Sequence, residues 1–156
     1  MMSSHSRHHG GETETGRRAW TVLLVDDDPD VRRTVGRVLR GVGIEVLEAE
    51  DGVDALDRLR SHAGPVHLLI TDVVMPRMDG PELVFALAHL RPELPVLYIT
   101  GFAGARLNQV GSHPPRVVEK PFDIGQFVAT TLAILTESEP QAGVGSADVV
   151  PLRAQA

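Results

Sequence analysis

Residues 22–30 read VLLVDDDPD: four aliphatic residues run straight into three consecutive carboxylates, Asp26, Asp27 and Asp28. Like charges repel and Asp is a poor strand former, so a buried strand has no reason of its own to end this way. Two accounts compete. Either the cluster is a solvated turn with a helix cap, or it faces something positive. Pro29 suits a first helical position, where a missing N–H costs little, which makes Asp28 the N-cap. Asp26 and Asp27 are left to be explained.

The bulk numbers narrow the classes. A chain of 156 residues can bury one full hydrophobic core and hardly two. A net charge of −6 argues against a nucleic-acid-binding surface. The absence of cysteine removes disulfides, zinc–thiolate sites and thiol catalysis together. No apolar run approaches the roughly 18–20 residues that span a bilayer, and MMSSHSRHHGGETETGRR lacks the apolar stretch of a signal peptide. A cytoplasmic protein without membrane contact is expected. Residues 1–18 and 138–156 are polar or rich in Pro, Gly, Ser and Ala, without periodicity, and read as loose tails around one domain at 19–137. His5, His8 and His9 belong to the first tail and are read as solvated.

Inside the domain, short apolar runs alternate with helical patterns. Strands are expected at 21–25, 44–49, 66–71, 95–100 and 115–121. The first helix follows Asp28, with Val31, Val35, Val38, Leu39 and Val42 on one face and Gly41 or Gly43 as its stop. The second carries Val53, Leu56 and Leu59; the third has Pro81 in its first turn; the last buries Ile124, Phe127, Val128, Thr131, Leu132 and Leu135. Alternation of this kind gives a five-stranded parallel sheet, doubly wound with helices on both faces, in an α/β fold. Unbroken runs such as VLLV fit strands buried on both sides. Ligands of such sheets sit outside the carboxyl ends of the strands, where the winding reverses.

Those ends carry Asp26 and Asp27, then Asp72, then Thr100, then Glu119 and Lys120. Three crowded carboxylates raise one another's pKa unless a cation intervenes. Oxygen donors without a thiolate favour a hard ion, Mg²⁺ over zinc. Lys120 alone reads as a solvated charge and MPRMDG alone as a turn; together, at successive strand ends, they read as a site. His67 is expected to be a structural, partly buried histidine.

In order along the chain, VLLVDDDPDVR, LLITDVVMPRMDGPEL, VLYITG and VVEKPF resemble the receiver domain of bacterial two-component response regulators, across about residues 20–136. The resemblance implies the flavodoxin-like receiver fold. It implies Asp72 as phosphoacceptor, Asp26 and Asp27 as the acidic pair, Thr100 as switch hydroxyl and Lys120 as the family's lysine. Mg²⁺ would be held by Asp27, Asp72 and the Val74 carbonyl, with Asp26 acting through water. The implied donor is a sensor histidine kinase or a histidine phosphotransfer protein, and the implied chain is a signalling acceptor rather than an enzyme, a monomer or weak dimer. It most resembles receivers of hybrid kinases and their stand-alone relatives, acting by protein contact or as a relay or phosphate sink.

The chain departs from the family at Val117, where many receivers place an aromatic residue three positions before the lysine, so an aromatic-coupled switch is not expected. The tail after residue 138 is too short and polar for a DNA-binding module, so direct DNA binding is not expected. An unphosphorylated scaffold is the alternative function, and intact Asp72, Thr100 and Lys120 weigh against it. An acid-rich α/β phosphatase or phosphotransferase would need a second acidic motif or a cap, and neither is visible. Between Thr100 and Lys120, Gly and Pro leave only residues 103–110 for a helix, about two turns, too short to stand without tertiary support.

Overall fold

The computed structural model describes residues 19–101, 107 and 115–139. Five strands, β1 (Thr21–Val25), β2 (Glu45–Ala49), β3 (Leu68–Asp72), β4 (Val96–Thr100) and β5 (Arg116–Glu119), form one parallel sheet in the order β2-β1-β3-β4-β5. Four helices are found among the described residues: α1 (Pro29–Gly41), α2 (Gly52–Ser61), α3 (Gly80–Leu90) and α4 (Ile124–Glu137). This is the five-stranded, doubly wound arrangement expected.

β1 shows why the sheet is buried on both sides. Val22 and Leu24 point into a core built with Val35 and Leu39 of α1 and Phe127, Ile134 and Leu135 of α4. Leu23 and Val25 point into the other, with Ala55 and Leu59 of α2 and Leu83, Val84 and Leu87 of α3. Side chains alternate across a strand, so a strand fully buried on both faces must be apolar at every position. β3 and β4 repeat the pattern, with Ile70 and Leu97 on the first side and Leu69 and Tyr98 on the second. The winding reverses between β1 and β3, and that opens the crevice.

Local chemistry sets the helix limits. The Asp28 side chain accepts from the amides of Asp30 and Val31, and is the N-cap expected. α1 stops because Gly43 adopts φ 88° and its N–H returns to the Arg40 carbonyl; such a left-handed turn favours glycine. α3 starts with a reciprocal capping box between Asp79 and Glu82.

Several expectations are corrected. Val42 lies past the end of α1 as its C-cap and is 48% exposed, since the turn at Gly43 swings it off the buried face. In α4, Ile134 belongs to the core, whereas Ile124, the first residue of the helix, is exposed. β3 begins two residues later than expected and ends on Asp72 itself. His67 sits just before it, half-buried, its Nδ1 accepting the Thr21 N–H at 2.9 Å. It is structural, as expected. The short helix expected over 103–110 lies outside the described residues except for Leu107, which is not helical and rests half-buried against the α2–α3 side. Among the described residues no helix is long and apolar enough to cross a membrane.

Candidate functional site

Asp26 follows the last residue of β1, and its backbone N–H continues the strand by donating to the Ala49 carbonyl. Its side chain is turned inward and is 1% exposed. One oxygen accepts the Asp28 N–H at 2.9 Å and the other the Lys120 ammonium at 2.9 Å. Asp27 is exposed beside it. Asp72, the last residue of β3, takes the Val73 N–H on Oδ1 at 2.6 Å and the Lys120 ammonium on Oδ2 at 3.1 Å. Lys120 thus bridges the two carboxylates from beyond the end of β5, after a strand step in which its own N–H donates to the Thr100 carbonyl. Thr100 closes β4, buried, next to Glu119 in the register.

One oxygen from each of Asp26, Asp27 and Asp72 can be chosen so that all lie within 4.8 Å of one another. An octahedral Mg²⁺ with oxygens at about 2.0–2.1 Å has its ligands about 3 to 4 Å apart, so a small closure suits that ion. The donor set is oxygen throughout, which also fits. Burial pushes the Asp26 carboxyl above its usual value; the hydrogen bonds from Lys120 and the Asp28 amide and the lysine's charge only moderate this, and the charge of Asp72 adds to it. Negative charge is therefore costly here without a cation. Burial pulls the Lys120 ammonium down, but its hydrogen bonds to Asp26 and Asp72 and their charges outweigh that, holding it above its usual value.

The loop after Asp72 is shaped by close approach. A Cβ on Gly80 would collide with the Asp72 carbonyl, and the Gly80 N–H donates to the Val73 carbonyl. Val73 and Met75 are buried; Val74 between them is 65% exposed. Arg77 adopts φ 63°, in the left-handed region, which for a residue with a Cβ costs about 1–2 kcal/mol. Its Nε donates to the buried carboxylate of Asp51 at 2.6 Å, and Asp51 also caps α2 by accepting the Asp54 N–H.

The structure brings Asp26, Asp27, Asp72 and Lys120 together as the sequence implied, and places Thr100 at the adjoining strand end and Val74 in the adjoining loop. Sequence reading missed Asp51 and Arg77. The only signal was the Asp51-Gly52 pair, which marks a helix cap. Val117, at the position where receivers often carry an aromatic residue, pairs in register with buried Tyr98.

Residues 22–131 match the response regulator receiver domain. The chain is 38% identical over 109 residues to the response regulator receiver protein CpdR of Brucella abortus (strain 2308), covering 69% of this chain and 89% of that protein. It is 34% identical over 121 residues to the sensor kinase CckA of the same strain, covering 76% of this chain and 13% of the kinase. Among solved structures it is similar to the receiver domain from hybrid histidine kinase CckA, with a TM-score of 0.63 and 35% identity, covering 74% of this chain and 98% of that one. The order of the sheet, the acidic crevice at its reversal and these similarities agree, and the chain belongs to the response regulator receiver domain family.

Proposed function

We propose that this chain accepts a phosphoryl group on Asp72 from a phosphohistidine of a sensor kinase or histidine phosphotransfer protein, in the cytoplasm. It then signals by protein contact, or passes the group on as a relay or phosphate sink. The observation that carries the reading is the Lys120 bridge: one ammonium within hydrogen-bond distance of both Asp26 and Asp72, in a crevice where uncompensated negative charge is costly.

An Asp72 oxygen forms the new O–P bond as the P–N bond of the donor breaks, and the imidazole leaves with that electron pair. A carboxylate is a weak nucleophile toward an anionic phosphoryl group, so the site must offset charge. Asp26, Asp27, Asp72 and the Val74 carbonyl would hold Mg²⁺, which when bound neutralises phosphoryl oxygens. Lys120 exchanges a carboxylate oxygen of Asp72 for a phosphoryl oxygen, and Thr100 donates its hydroxyl to another. Moving those two residues moves the ends of β4 and β5, which turns a charge change into a change of surface.

The test is incubation with acetyl phosphate or a cognate phosphodonor and Mg²⁺, followed by intact mass and hydroxylamine lability. Wild type is expected to gain one acyl phosphate and Asp72→Asn none. Labelling of Asp72→Asn at the wild-type level would overturn the assignment.

A further inference from the structure

We propose that the Arg77–Asp51 ion pair is a positioning device for the metal site: it fixes the loop that carries Val74 and so sets the affinity for Mg²⁺. The proposal rests on the metal reading given above.

The loop from Val73 to Asp79 is tied at three places. At its root, Asp72 Oδ1 accepts the Val73 N–H, and the Val73 carbonyl accepts the Gly80 N–H. At its far side, the Met78 carbonyl accepts the N–H of Gly52, the first residue of α2. Between them stands Arg77, with Nε on Asp51 and a terminal nitrogen 3.5 Å from Glu50. Val74 has no such tie of its own through its side chain, which is largely exposed. Its own N–H donates to Asp72 Oδ1 at 3.4 Å on the root side, and Arg77 is the side-chain tie that joins the loop to α2.

Two features make this more than a surface ion pair. Asp51 is 2% exposed and both of its oxygens are engaged, one by the Asp54 N–H at the start of α2 and one by Arg77. The anchor is thus the rigid end of a helix. Arg77 also holds a left-handed backbone conformation, which persists in a residue with a Cβ only where the surroundings enforce it.

These features supply variants that separate positioning from folding. Arg77→Gly relaxes the backbone at φ 63° while it cuts the tie. Asp51→Asn keeps an acceptor for the Asp54 N–H and loses the charge that Arg77 meets. Mg²⁺ would be titrated calorimetrically into the full chain at a temperature where urea curves show every variant folded, with hydrogen exchange of the Gly52 amide followed in parallel without metal. Arg77→Gly and Asp51→Asn are each expected to weaken Mg²⁺ about tenfold, the lower end of what partners bonded directly to metal ligands contribute, and to speed exchange at Gly52. Arg77→Lys is expected to recover part of the affinity. Wild-type Mg²⁺ affinity in both cut variants would overturn the proposal and leave the metal reading standing. No Mg²⁺ binding by wild type would overturn the metal reading, and the proposal with it.

Discussion

The two halves of the sheet's carboxyl edge are built differently. On the β1–β3 side, strands are buried on both faces, Asp26 is enclosed, Gly80 packs on the Asp72 carbonyl, and Arg77 ties the loop to α2. On the other side β5 is an edge strand of four residues, with Arg116, Val117 and Glu119 exposed. The β5 end reaches the crevice through the Lys120 ammonium, which crosses to Asp26 and Asp72. The difference teaches where each task belongs. Nucleophile and metal ligands need fixed positions, and the packed half supplies them. A response needs an element that can shift at small cost, and a half-exposed strand paired on one edge only, with β4, is such an element.

The sharpest way to break this comparison is to remove one charged group from each half. Asp27→Ala is expected to abolish measurable Mg²⁺ binding by calorimetry. Lys120→Ala is expected to retain Mg²⁺ binding and some phosphorylation, but to lose the change in β5 hydrogen exchange that phosphorylation brings to wild type. Equal Mg²⁺ titrations of wild type and Asp27→Ala would remove the packed half from the metal site.

The next contrast is mechanical. Leu69, wholly buried in β3, and Val117, 44% exposed in β5, sit in strands on either side of β4. Leu69→Ala leaves a cavity and is expected to cost about 2–5 kcal/mol. Val117→Ala removes less buried surface and is expected to cost less than about 1 kcal/mol. Gly80→Ala should rank with Leu69→Ala, at about 3 kcal/mol, because backbone at Asp72 must move to admit the methyl group. Urea unfolding measures all three; similar losses for Leu69→Ala and Val117→Ala would erase the distinction.

The same contrast explains what the sequence could tell. β1 was legible because burial on both faces leaves an unbroken apolar run, Val22 to Val25, bounded by Thr21 and Asp26. Asp26, Asp27, Asp72, Thr100 and Lys120 were legible because each stands at or just past a strand end, where the chain changes from apolar to polar; Val74 came only from the family resemblance. Ile124 misled because helical spacing shows which residues share a face, not how far the first turn extends beyond its core. The Arg77–Asp51 pair left almost no trace, since it joins residues 26 apart that follow different strands. Periodicity does not reveal contacts between two loops, and φ 63° at an arginine has no signature in residue type.

The smallest effect expected is on the pH dependence of stability, where two buried carboxylates act in opposite directions. Burial pushes the Asp51 carboxyl up, but the Asp54 amide, the Arg77 hydrogen bond and the Arg77 charge together outweigh it, and the group lies below its usual 3.8. Its contribution is present above 3.8 and is lost as pH falls through the folded value, because the unfolded chain then binds the proton more tightly. Asp26 lies above 3.8, mainly through burial. Its contribution is fully present below 3.8 and is lost as pH rises through its folded value. Without Mg²⁺, the stability of Asp51→Asn should therefore approach that of wild type as pH falls below about 4. Asp26→Asn should instead improve relative to wild type as pH rises from about 4. Thermal unfolding of the three proteins across that range measures both trends, and parallel curves for all three would show that neither carboxylate's ionisation differs between the folded and unfolded chain.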